Sequence, residues 1–143
     1  MGSDRENAVE AVLGVLERLS TREHEKALVE RFYERFFECN PEVVPLFGPH
    51  ALAEREEMVR ETLNSLVACC EDEPWLEGNL RALGASHAEY GVTSEMYPAF
   101  VTAFIETIRE ILGGQLAPDA EKCFGRMLEE ICGLMSEEGA RGI

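Results

Sequence analysis

One imidazole in this sequence stands apart from the other two. His87 lies in "LRALGASHAEYGV", with Leu80 and Leu83 seven and four residues before it on the same face of a helix. A helix that buries this face ends it with an imidazole. Two chemistries fit: a core histidine with a satisfied hydrogen bond, or a neutral imidazole ligating a metal. His24 sits at a polar helix start between "TRE" and "EKA", and His50 follows Pro49 in a proline-rich corner, so both are expected at the surface. Residue type alone leaves both readings of His87 open.

The five cysteines, Cys39, Cys69, Cys70, Cys123 and Cys132, contain no C-x-x-C pair and therefore no C-x-x-C-H attachment site. Cys69 and Cys70 are adjacent, which suits neither a zinc knuckle nor an ordinary disulfide. These are read as reduced thiols that pack as small hydrophobes, as expected of a cytoplasmic protein. The formal charge of −15, from 13 basic and 28 acidic residues, excludes nucleic acid and an anionic membrane surface as partners. No run approaches the roughly 18 apolar residues of a membrane span. The opening "MGSDRENAVE" has no apolar signal core, and Glu6 breaks the myristoylation pattern.

The elements that must position His87 are helical. A chain of 143 residues is the size of one domain. Val9, Val12, Leu13, Leu16 and Leu19 form the apolar face of a first helix, and Ser20 or Thr21 can cap a second that carries Leu28, Phe32, Phe36 and Phe37. Pro41, Pro45 and Pro49 force a corner. A third helix over about 53–70 turns Met58, Val59, Leu63, Leu66 and Val67 inward, and "EDEPW" ends it, with Pro74 opening a short helix. The His87 helix follows. Thr93 or Ser94 can cap a strongly apolar fifth helix, and a last helix starts near Asp119. The pattern predicts an all-α domain over 1–143, with a core at about 5–136, a polar tail at 137–143 and the two most apolar helices at its centre.

In order and at these separations, "FYERFFECNPEVVPLF" (32–47), "HAEYGVTSEMYP" (87–98) and the helix "AFVTAFIETIREILG" resemble the globin family. The likeness is strongest to bacterial single-domain haemoglobins and the haem domain of flavohaemoglobins, and it covers roughly 5–136. It implies a globin fold of six to eight helices in three-over-three packing around a haem pocket, with haem b as cofactor. His87 would be the proximal iron ligand, with Leu83 one turn below it on the proximal face. Phe47 would pack on the porphyrin face, a role compatible with being the core aromatic of the corner. Tyr33 takes the place of a distal tyrosine whose phenol donates to the bound ligand; a core tyrosine is its competing reading. Tyr97 matches a proximal tyrosine that works with a C-terminal glutamate, for which Glu137 and Glu138 are the candidates. Val59 falls where an apolar residue meets the ligand, and Met58 takes that place if the register slips by one. Arg55 could face the ligand, a haem propionate or water. No distal histidine is evident, so the iron is expected to be five-coordinate, or ligated by water or another side chain.

The resemblance implies a diatomic gas ligand, O2, NO or CO. It is compatible with oxygen binding and transport, with NO detoxification, or with gas sensing as the input to a signalling output domain. The chain has no flavin or nicotinamide segment, so NO dioxygenase or weak peroxidase activity would need an external reductase. A homodimer is a further expectation. The competing class is a haem-free globin-like module for interaction or signalling.

Overall fold

The structure, a computed structural model, describes residues 3–47 and 52–141. His50 lies outside the described residues. Helix α1 (Asp4–Leu19) opens with a reciprocal cap in which the Ser3 hydroxyl accepts from Glu6 N–H and the Glu6 carboxylate accepts from Ser3 N–H. Helix α2 (Arg22–Cys39) is capped by Thr21, which accepts from His24 N–H, and stops before Pro41. A single 3-10 turn, Pro41–Val43, leads into the short α3 (Val44–Phe47). Helices α4 (Leu52–Cys70), α5 (Leu76–Glu89), α6 (Met96–Leu112) and α7 (Pro118–Arg141) complete the chain. No described helix is long and apolar enough to cross a membrane.

Three local expectations are corrected. Pro74 does not open a short helix; it lies in the turn before α5, with Trp75 at the N-cap. The Thr93 and Ser94 side chains do not cap α6. Their backbone carbonyls accept from Met96 and Tyr97 N–H instead, and the cap position falls on Glu95 without a side-chain bond. The expected polar tail from 137 is helical through Arg141. It is held because Gly139 lies against α5, where a Cβ would sit 3.4 Å from both the Ala88 Cβ and the Gly84 carbonyl.

Pairings α1–α4–α5 and α2–α6–α7 make two layers of three, and α5 and α1 lie across α7. Phe32 on α2 is fully buried and joins the layer together: its ring is 5.2 Å from Phe36 and Phe100 and 5.5 Å from Phe104. Burial of each such side chain stabilises by about 1.5–3 kcal/mol. Phe104 stacks on Phe124, so α6 and α7 supply the centre, as their apolar patterns predict.

Helices α5 and α7 cross in close contact. A Cβ on Gly84 would collide with the Met135 carbonyl, so only glycine lets the two backbones approach this closely. Three residues after Gly84, on the same helix, comes His87.

Candidate functional site

Two constraints position His87. From one side, the Gly84 contact presses α5 onto α7. From the other, α5 ends in a fixed turn: Gly91 N–H donates to the Ala88 carbonyl and Val92 N–H to the His87 carbonyl. This is a Schellman closure with glycine at the residue that needs a left-handed backbone, φ +101°. The imidazole is itself oriented. Its Nδ1 lies 2.7 Å from the Leu83 carbonyl oxygen, one turn earlier. A carbonyl can only accept, so Nδ1 carries the proton and donates. The lone pair of the neutral ring is then on Nε2, at the ring edge away from its own helix.

His87 forms part of the wall of a cleft that encloses about 790 Å³ of empty space, its open mouth included. The walls are almost wholly apolar. Leu80 and Leu83 join His87 from α5, and Phe47 and Leu46 close the corner. Opposite α5, helix α4 presents Met58, Glu61, Thr62 and Ser65. Their spacing of three, four and seven residues from Met58 is one helical stripe.

The sequence candidates divide cleanly. His87, Leu83, Phe47, Tyr97 and Met58 come together around the cleft. Val59, Tyr33 and Arg55 do not. Val59 is buried on the other side of α4, in a groove shared with Val29 and Leu63. The register therefore differs by one residue, and Met58 stands where Val59 was expected. The Tyr33 ring packs edge-on against Phe32 and Phe47, with centroids 5.0 and 5.5 Å away, while its hydroxyl donates to the Arg55 carbonyl at 2.8 Å. Burial pushes the Tyr33 phenol well above its ordinary value, and the nearby Arg55 charge opposes that. The Arg55 guanidinium lies over two rings, 5.2 Å from the Phe37 centroid and 5.7 Å from the Tyr33 centroid. Arg55 is thus neither in the cleft nor simply solvated.

Tyr97 reaches the cleft from α6 and also borders the surface hollow beside Ala88, Gly91 and Val92, which places it on the His87 side. Burial, and then Cys132, push its phenol up to about 12. Cys132, also in the cleft wall, is raised to about 12 by burial and then by Glu129. Both are neutral donors at ordinary pH. Glu137 and Glu138 meet Arg81 at 3.9 and 3.6 Å, across the α5–α7 seam. His87 Nδ1 is bound to the Leu83 carbonyl.

Glu61, Thr62 and Ser65 were not singled out from sequence. Their signal was present: a polar stripe running beside the apolar face of Val59, Leu63 and Leu66. The short count between the corner and α4 hid which stripe faces inward.

A helical protein of two three-helix layers, with one oriented imidazole in an apolar cleft between α4 and α5, is a ligand- or cofactor-holding domain by its architecture. A family model described as Globin matches residues 30–135, and the chain belongs to the globin family. It is 24% identical over 121 residues to a protein named flavohemoprotein from Rhizobium meliloti, covering 80% of this chain and 30% of that one. A flavohemoprotein from Bacillus subtilis is 25% identical over 122 residues, with 79% and 30% covered. A cotton protein (Gossypium hirsutum) named as an anaerobic nitrite reductase is 24% identical over 115 residues, covering 71% of each chain. The chain thus spans about 30% of the length of the flavohemoproteins it matches.

Proposed function

We propose that this chain binds haem b in the α4–α5 cleft, with His87 as the iron ligand, and takes up a diatomic gas on the α4 side. The observation that carries the reading is the oriented imidazole: Nδ1 donates to Leu83, and the Nε2 lone pair is left at an apolar cleft. The donor set fits this cofactor. Among the described residues no group of three or more His, Cys, Asp or Glu could hold a bare metal ion. A lone imidazole in apolar walls suits a metal that arrives in its own macrocycle. Membership of the globin family and relatives named as haemoproteins support the same assignment.

Haem iron would supply the open coordination position; the chain supplies everything else. His87 would be aimed by its bond to the Leu83 carbonyl, and Phe47, Leu83 and Leu80 would shield the bound group from water. Tyr97 closes the His87 side. The α4 stripe sets the polarity met by the ligand. An NO-consuming role would draw electrons from a reductase, and a sensing role would pass the ligand state to an output domain. Neither is among the residues described.

Absorption spectra of the haem-supplemented protein in ferric, ferrous and CO-bound forms test the reading. A Soret band that shifts on reduction and again with CO is expected. In His87→Gly the ferrous spectrum should change to that of haem lacking its protein ligand, and added imidazole should restore it. A folded protein with no Soret band would overturn the proposal and leave the haem-free interaction module.

A further inference from the structure

The mouth of the cleft carries a carboxylate. Among the described residues of the wall, Glu61 is the only Asp, Glu, Lys or Arg. Of the α4 residues in that wall, Ser65 is buried, Met58 and Thr62 are half-buried, and Glu61 is exposed. An exposed residue that also lines a cleft is part of its rim. Glu57, one turn before Glu61, is exposed too and continues the same edge of the helix. The cations of neighbouring stretches are engaged elsewhere. Arg60 borders the groove between α2 and α4, on the other side of α4. The Arg55 guanidinium lies over the Tyr33 and Phe37 rings. Arg81 on α5 meets Glu77, Glu137 and Glu138.

Haem b is amphiphilic, with apolar edges and one edge that bears carboxylates. Burying a carboxylate in apolar walls without a partner costs far more than leaving it in water, so the acidic edge of the bound group belongs at the open mouth. The mouth already holds the Glu61 carboxylate. Two like charges about 4 Å apart in water shift an equilibrium roughly fivefold, and more where protein lowers the local dielectric. Resting on the haem reading above, we propose that Glu61 sets how tightly this cleft retains its tetrapyrrole, by opposing the acidic edge of haem at the mouth. Haem is then held by His87 and by apolar contact against a local repulsion, as an exchangeable group. The same repulsion favours a tetrapyrrole whose mouth-side groups are neutral over one whose acids are free.

The test uses the full chain loaded with haem, which separates the two proposals: absence of a Soret band refutes the haem reading before Glu61 is questioned. On loaded protein, haem transfer to excess apomyoglobin is followed at the Soret band in the wild type and in Glu61→Gln, Glu61→Lys and Glu10→Gln, with folding checked by circular dichroism. Glu10 is exposed on α1 and outside the cleft wall, so its variant removes the same unit of charge from the −15 total at a remote point. The expected result is release slowed about threefold by Glu61→Gln and about tenfold by Glu61→Lys, with Glu10→Gln unchanged within about 1.5-fold. Raising salt from about 0.01 M to about 0.15 M should slow release from the wild type, and less so from Glu61→Gln. That wild-type series depends on no variant. With haem dimethyl ester, whose acids are neutral, Glu61→Gln should change release by less than about 1.5-fold. Release from Glu61→Gln at the wild-type rate or faster, an equal slowing by Glu10→Gln, an equal slowing with the ester, or wild-type release that fails to slow with salt would overturn the proposal.

Discussion

At the scale of single residues, buried thiols and a phenol in the core and the cleft wall hold their protons through burial. Cys132 rises from 9.0 to about 12 and Cys70 from 9.0 to about 11, each through burial first. Tyr97 moves from 10.0 to about 12 for the same leading reason. In all three the folded chain holds the proton more tightly than the unfolded chain. Their contribution is therefore complete below pH 9, and it is lost as the pH climbs through 11 and 12. The urea midpoint should hold steady to about pH 9 and then fall. Cys132 should account for at most about 1.4 kcal/mol per pH unit of that slope. Cys132→Ala should flatten the decline, and an unchanged slope would show that Cys132 titrates alike in both states.

At the scale of elements, two glycines fix where the imidazole stands. Gly84→Ala drives a Cβ into the Met135 carbonyl, which is backbone and cannot swing aside. A loss of about 2–4 kcal/mol in urea unfolding is expected, together with weaker haem retention as α5 lifts from α7. Gly91→Ala meets only the Leu46 side chain at 3.4 Å, so its penalty comes from φ +101° and should be smaller, about 1–2 kcal/mol. If Gly84→Ala proved as mild as Gly91→Ala, the tight crossing would not be what seats α5. The helices themselves were legible in the sequence, because apolar residues at three- and four-residue spacing mark each buried face. His87, Leu83 and Tyr97 were singled out through the globin resemblance, and the regular spacing of their helices brings them to one cleft. Which residue of α4 faces the cleft was not legible, since an error of one residue after the corner exchanges Met58 for Val59. Nor could the fate of Tyr33 be read, because its acceptor is a backbone carbonyl 22 residues away and backbone carbonyls carry no residue-type signal. The helical end of α7 was missed because its residues are polar; what holds them is the small size of Gly139 against α5.

At the scale of the whole molecule, charge is the dominant feature. The chain carries −15, with only 13 basic residues against 28 acidic ones. Many of those cations are already paired: Arg31 with Glu110, Arg35 with Glu106 and Glu110, Arg81 with Glu77, Glu137 and Glu138, and Arg109 with Glu121. Added salt then has two opposed effects. It weakens these surface pairs, each contributing about 0.2–1 kcal/mol at most, and it screens the repulsion among the acidic excess. Repulsion acts over the whole surface, while each pair acts over one contact and is partly kept by its hydrogen bonds. Raising salt from about 0.01 M to about 0.15 M shortens the screening length from about 30 Å to about 8 Å, which removes most of the long-range repulsion and little of the short-range pairing. The repulsive term should win, and Tm should rise by about 3–5 °C for each kcal/mol regained. Scanning calorimetry across that salt range checks the sign: a falling Tm would mean that the arginine pairs outweigh the excess charge. With the same excess, association with any basic surface should slow as salt rises, and association with an acidic one should not.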